Sequence, residues 1–172
     1  AILSSVLCKG NTVVHNAACE PEIVDLQNFL VKMGAKVTGA GTSVIKIYGV
    51  KTLHGTLYDA MPDRIAAGTY AIAVAMTGGT VLLDGARYQD MRALLSKLSK
   101  TSCNIICNGD KIYIKSNGKP VSVPKITTQP HPGFPTDLQA PMMALQTVSD
   151  GVSIFTENIF EYRYRHVGEL MK

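Results

Sequence analysis

Ala71-Ile72-Ala73-Val74-Ala75-Met76-Thr77-Gly78-Gly79-Thr80-Val81-Leu82-Leu83 reads as a helix of small apolar residues, a glycine stop and a short buried strand. The same succession occurs twice more. Ala1-Ile2-Leu3-Ser4-Ser5-Val6-Leu7 runs on to Gly10-Asn11-Thr12-Val13-Val14, and Pro141-Met142-Met143-Ala144-Leu145 runs on to Gly151-Val152-Ser153-Ile154-Phe155. The spacing of about seventy residues is longer than a solenoid repeat and points to repeated subdomains.

A second pattern follows each of the first two copies. Ile23, Leu26, Leu30 and Met33 mark one face of a helix, which leads to a strand near Lys36–Thr38, a Gly41-Thr42 turn and the strand Val44–Tyr48. Met91, Leu94, Leu95 and Leu98 mark the matching helix, followed by a strand from Asn104 to Cys107. Gly109-Asp110 then turns the chain into Lys111-Ile112-Tyr113-Ile114-Lys115, the clearest hairpin signal in the chain. The predicted unit is βαβαββ, complete once between about Gly55 and Lys115, in an α/β (α+β) fold. Ala1 then falls inside a helix begun upstream, and His166–Lys172 starts a helix without its second half. The chain is expected to be a fragment truncated at both ends.

With 46% hydrophobic and 17% charged residues among 172, the chain is globular rather than disordered. No basic segment precedes an apolar stretch, and the longest apolar run, Tyr70–Met76, is far too short to span a bilayer, so no membrane partner is expected. A net charge of +4 on scattered lysines describes a solvated basic surface; it suits small anionic substrates and calls for no nucleic acid. Cys8, Cys19, Cys103 and Cys107 include no Cys-x-x-Cys pair, and Cys103, Ile105 and Cys107 alternate along one strand face. Reduced thiols and a cytoplasmic location fit this pattern. His15, His54, His131 and His166 are isolated, and no metal site is predicted. Gly39-Ala40-Gly41 and Gly78-Gly79 read as turns, not as phosphate-binding loops.

Chemistry enters at Pro132-Gly133-Phe134-Pro135-Thr136-Asp137-Leu138-Gln139. Two prolines around a glycine make a stiff loop of specific shape. Thr136 suits an N-cap and Gln139 completes a capping box, which places Asp137 in the first helical turn. A rigid loop presenting one carboxylate serves a general base, and it also describes any well-capped helix. Pro141, just past that first turn, is expected to kink the helix. Asp63 occupies the equivalent repeat position, with Pro62 at the first helical position and Arg64 beside it, where an acidic group meets the positive end of the dipole. Glu161 and Arg163 are two apart and share a face if their segment is extended; the plain reading is a cross-strand ion pair.

The loop is similar to a signature of the enolpyruvyl transferases. Three further segments carry the resemblance, in order and spacing across all 172 residues: Glu20–Leu26 with Lys32–Lys36, Met61–Ile65 with Gly68-Thr69-Tyr70, and Glu157–Tyr164 with His166-Val167 and Glu169-Leu170. The chain corresponds to the middle of the family's longer polypeptide. The resemblance implies an inside-out α/β fold of two hinged domains, three units each, with a cleft between them. Residues 1–60 would be the last, incomplete unit of one domain. Residues 61–172 would be the first unit and part of the next unit of the second domain.

The resemblance further implies transfer of the enolpyruvyl group of phosphoenolpyruvate to the 3′-hydroxyl of UDP-N-acetylglucosamine, an early step of bacterial cell-wall synthesis, with no metal or organic cofactor. It places Asp137 on the attacking sugar hydroxyl, as the base. Arg163 falls on the phosphoenolpyruvate carboxylate, Ile159 and Phe160 near the nucleotide sugar with Glu161 beside them, and Asp63 and Arg64 by the hinge and cleft in support. Tyr162, Tyr164 and Arg165 depart from the commoner residues of their motif. The family's cysteine-bearing lid, its N-terminal lysine and its C-terminal arginine are not among these 172 residues, so the remaining segments of the same enzyme are expected partners, and the fragment alone is expected to be inactive. Two alternatives are a sister enzyme acting on shikimate 3-phosphate and a non-catalytic scaffold that binds a UDP-sugar.

Overall fold

The Gly109-Asp110 hairpin forms, joining β5 (Asn104–Asn108) to β6 (Lys111–Ser116) in antiparallel register with Asn108 opposite Lys111. Gly109 sits at φ +61, a left-handed conformation that glycine adopts without strain. The computed structural model describes residues 1–172 and divides into two compact units, Ala1–Met61 and Pro62–Lys172.

Both units repeat one plan. In the first, α1 (Ile2–Ser5), β1 (Asn11–His15), α2 (Pro21–Lys32), β2 (Lys36–Thr38) and β3 (Val44–Tyr48) give a sheet of order β1-β3-β2. In the second, α3 (Arg64–Thr77), β4 (Gly79–Asp84), α4 (Tyr88–Leu98), β5 and β6 give the order β4-β6-β5. The last strand therefore lies in the middle of each antiparallel sheet. The predicted leading strand near Gly55 is absent: residues 51–63 hold no strand. That segment is tied down by side chains instead of a ladder. The Tyr58 hydroxyl donates to the Asp25 carboxylate at 2.7 Å, and its ring packs on Phe29 at 5.3 Å.

Alternation decides the burial. Ile112 and Ile114 of β6 are fully buried while Lys111, Tyr113 and Lys115 face out, and Ile45 and Ile47 of β3 behave likewise. The predicted apolar faces of α2 and α4 pack inward, led by Leu30 in the first unit and by Met91, Leu94, Leu95 and Leu98 in the second. The strands after the small-residue helices are covered on one face only, not buried as predicted. Leu82, Tyr113 and Ile106 pair across the sheet with their side chains toward solvent. Cys103 precedes β5 and is buried, whereas Cys107 is exposed on the strand; all four cysteines are free.

The small residues of α3 serve close approach. Ala71 and Ala75 are fully buried, and a side chain at Gly68 would meet the methyls of Leu138 and Leu94. The helix therefore lies close against α4 and the segment that opens the third copy of the repeat. There β7 (Lys125–Thr127) and β8 (Ile154–Thr156) pair in parallel around α5 (Gln139–Thr147). A last short helix, α6 (Val167–Leu170), closes the chain, and no helix is long and apolar enough to cross a membrane.

Candidate active site

The proline-rich loop is built as a closed turn. The Gln129 amide donates to the Phe134 carbonyl at 3.0 Å and the Gly133 amide to the Pro130 carbonyl at 2.8 Å, with His131–Pro132 in the cis form. Gly133 is required by space: a Cβ there would overlap Gln129 Cβ and stand 3.0 Å from the Pro130 oxygen. Phe134 and Leu138, 4% and 2% exposed, pin the loop and the following turn into the core. Asp137 lies between these anchors, with its side chain 57% exposed.

The predicted capping box does not form. Thr136–Leu138 is a 3₁₀ turn, and the Thr136 hydroxyl donates to Glu157 Oε2 at 2.9 Å instead of capping a helix. Gln139 opens α5, fully buried, and neither of its amide atoms has a hydrogen-bond partner. The start at Gln139 also removes the expected kink. Pro141 falls in the first turn of α5, where the backbone N–H has no helical partner to lose.

The segment after β8 is a run of turns over 161–166, not an extended strand, and Tyr162 takes φ +57. Glu161 and Arg163 consequently do not pair. Glu161 is exposed, and Arg163 turns back to the proline loop. Its Nη2 donates to Asp137 Oδ1 at 2.7 Å and approaches the Thr136 carbonyl at 3.4 Å, and its Cζ lies 5.6 Å from the centre of the Phe160 ring. Ile159 is half-buried in the same corner.

A residue that sequence reasoning passed over organises this corner. Glu157 Oε1 accepts from the amides of Ile159 at 2.8 Å and Phe160 at 3.2 Å, while Oε2 holds Thr136. The buried Thr128 accepts from the Asn158 amide at 2.9 Å. Burial by itself raises the Glu157 carboxyl pKa. Hydrogen bonds from the Ile159 amide, the Thr128 and Thr136 hydroxyls and the Phe160 amide outweigh it and hold the pKa below the usual glutamate value. The only signal in sequence was the position of Glu157 at the head of its motif.

Asp63 has a different task at the equivalent repeat position. It is the N-cap of α3, with Oδ1 accepting from Ile65 at 2.8 Å and Ala66 at 3.0 Å, so Pro62 precedes the helix instead of opening it. Asp63 and Arg64 border an open cavity of about 290 Å³ with Arg87 and Asp90. Arg64 also lines a crevice against His131, Pro132, Gly133 and Pro135 of the loop. The structure thus gathers Thr136, Asp137, Glu157, Ile159, Phe160 and Arg163 into one cluster. A carboxylate and a guanidinium presented side by side on stiff turns can take a proton from a hydroxyl and hold an anion.

All 172 residues match the model of the family described as EPSP synthase (3-phosphoshikimate 1-carboxyvinyltransferase). The chain is 52% identical over its whole length to proteins named UDP-N-acetylglucosamine 1-carboxyvinyltransferase from Rhodopseudomonas palustris and Afipia carboxidovorans, and 51% identical to that of Azorhizobium caulinodans. It spans 40% of the length of each of these relatives. Among solved structures, the enolpyruvyl transferase NikO from Streptomyces tendae superposes with a TM-score of 0.79 at 20% identity, covering 96% of this chain and 40% of that one. The fold is thus that of an enolpyruvyl transferase, and the chain belongs to the EPSP synthase (3-phosphoshikimate 1-carboxyvinyltransferase) family.

Proposed function

We propose that this chain is the central part of an enzyme that moves the enolpyruvyl group of phosphoenolpyruvate to the 3′-hydroxyl of UDP-N-acetylglucosamine, a step of peptidoglycan synthesis in the bacterial cytoplasm. The observation that carries the reading is the 52% identity, over the whole length of the chain, to proteins named UDP-N-acetylglucosamine 1-carboxyvinyltransferase. The Asp137–Arg163 contact supports the assignment of roles.

In this reading Asp137 takes the hydroxyl proton as the sugar oxygen bonds to C2 of phosphoenolpyruvate, and an acid adds a proton to C3. Elimination then removes a proton from C3 and breaks the bond from C2 to the phosphate oxygen, releasing phosphate. Asp137 Oδ1 is engaged by Arg163, which leaves Oδ2 to receive the proton. Arg163 presents further N–H donors to the carboxylate of phosphoenolpyruvate, a geometry that lysine does not reproduce. Ile159 and Phe160 offer apolar surface to the sugar, with Glu161 beside them. Asp63 supports the site by capping the helix that carries Arg64. The acid and the remaining cations come from segments outside these residues. The crossover between the two domains is read near Ala60–Met61, and the division into compact units after Met61 supports that reading.

The test is phosphate release from phosphoenolpyruvate by the chain joined to the segments its relatives carry, with UDP-N-acetylglucosamine and shikimate 3-phosphate as alternative acceptors. Release with the nucleotide sugar alone supports the reading. Release with shikimate 3-phosphate, or with neither, overturns it.

A further inference from the structure

Outside the proposed reacting groups, one charged side chain makes more hydrogen bonds than its place on the surface explains. Glu157 follows β8 directly, and its two carboxylate oxygens reach two different turns. Oε1 takes the amides of Ile159 and Phe160, which fixes the corner where the chain leaves the strand. Oε2 takes the hydroxyl of Thr136, the residue before Asp137. Arg163 lies over the Phe160 ring and donates to Asp137. The support of Arg163 and its target thus belong to separate turns, and apart from Arg163 itself their side-chain link is Glu157.

We propose that Glu157 is a positioning residue for the Asp137–Arg163 pair, clamping the turn that carries the carboxylate to the turn that carries the guanidinium. The inference rests on the enolpyruvyl-transfer reading of that pair. Without the clamp, the 159–160 corner loses its acceptor and Thr136 loses its anchor. Arg163 then has no fixed distance to Asp137, because its planar group is held only through contacts that move with those two turns. Displacements of this kind cost rate without removing any reacting group. A glutamine in the same place keeps an oxygen for the two amides and an NH₂ group that can donate to Thr136 Oγ1, so the link survives loss of the charge.

The experiment compares Glu157→Ala, Glu157→Gln and Thr136→Val in two measurements. In the chain completed to the length of its relatives, kcat and KM are determined for both substrates. In the 172-residue chain, nuclear Overhauser contacts between the Phe160 ring and the Arg163 guanidinium are recorded, with melting temperature as the check on folding. We expect Glu157→Ala to lower kcat/KM by about 10–100-fold, chiefly in kcat, with Glu157→Gln within about threefold of wild type and Thr136→Val between the two. The Phe160–Arg163 contacts should vanish in the alanine variant and persist in the glutamine variant. The proposal is overturned if Glu157→Ala keeps kcat/KM within about twofold and keeps those contacts, or if Glu157→Gln is as impaired as alanine. If Glu157→Ala fails to fold, Thr136→Val decides, since it removes only one arm of the clamp. If the wild type releases no phosphate, the reaction reading falls. The positioning claim is then decided by nuclear Overhauser contacts of the Arg163 guanidinium with the Phe160 ring and with Thr136. Both should be lost in Glu157→Ala, and their joint survival overturns the claim.

Discussion

Gly68→Ala tests how the site is seated on the core. The new Cβ would stand 2.7 Å from Leu138 Cδ1, 2.9 Å from Leu94 Cδ2 and 3.3 Å from Leu138 Cδ2. Carbon atoms pack at about 3.5–4.0 Å, so the nearest methyl must retreat by about 0.8 Å. Methyls at the end of a leucine often yield, but these leucines are only 2% and 1% exposed and have nowhere to go. Overpacking of this kind costs about 1–3 kcal/mol, against about 1 kcal/mol gained from replacing glycine by alanine in a helix. Burial of both leucines places the cost in the upper half of its range, for a net loss of about 1–2 kcal/mol. Urea unfolding followed by far-ultraviolet circular dichroism should show a lower midpoint at unchanged slope. Gly168→Ala, in a helix with no atom within 4 Å of the added Cβ, is the control and should lose nothing. An equal or higher midpoint for Gly68→Ala would refute the argument that α3 is held close to Leu138. Asp137 is the residue next to Leu138, so the same shift should also lower the rate of phosphate release.

Gly133→Ala should cost about 1–3 kcal/mol, because the added Cβ meets Gln129 Cβ and a backbone oxygen that cannot rotate away; the unfolding midpoint measures it. The Glu157 carboxyl has a lowered pKa in the folded chain, so it contributes stability above its unfolded value and loses it as pH falls through the folded one. Melting temperatures of Glu157→Gln across acidic pH should accordingly fall less steeply than those of wild type. Equal slopes would contradict the hydrogen-bonded account of that carboxylate.

Much of the fold was legible because short-range pattern and burial agree. The apolar residues of α2 and α4 recur at helical spacing and meet the core on that face, and Gly109-Asp110 turns where two alternating strands require it. What stayed hidden was decided by distant partners. Thr136 and Gln139 have the spacing of a capping box, yet Glu157, 21 residues beyond Thr136, competes for its hydroxyl and wins. Glu161 and Arg163 read as an extended pair, but Tyr162 takes a left-handed conformation that few side chains favour, and Arg163 turns to Asp137 instead. The segment before α3 is expected to open with a strand, but residues 51–63 hold none, and Tyr58 ties the segment down through Asp25 and Phe29, more than twenty-five residues away in sequence. Asp63 and Asp137 look equivalent in the repeat. Only the bonds they accept separate them, two backbone amides for one and a guanidinium for the other.

That separation is the central claim, and paired measurements on Asp63→Ala and Asp137→Ala test it most directly. In the chain completed to the length of its relatives, phosphate release and unfolding midpoint are measured for both variants. Asp63→Ala should lose about 1 kcal/mol of stability with the loss of its cap while retaining most of its rate. Asp137→Ala breaks an ion pair with both partners more than one-third exposed, worth about 0–1 kcal/mol, so its stability should barely change. Its phosphate release should fall by about 10²–10⁴-fold, the contribution of a positioned proton acceptor. An Asp137→Ala variant that keeps its rate, or an Asp63→Ala variant that loses rate without losing stability, would contradict the account.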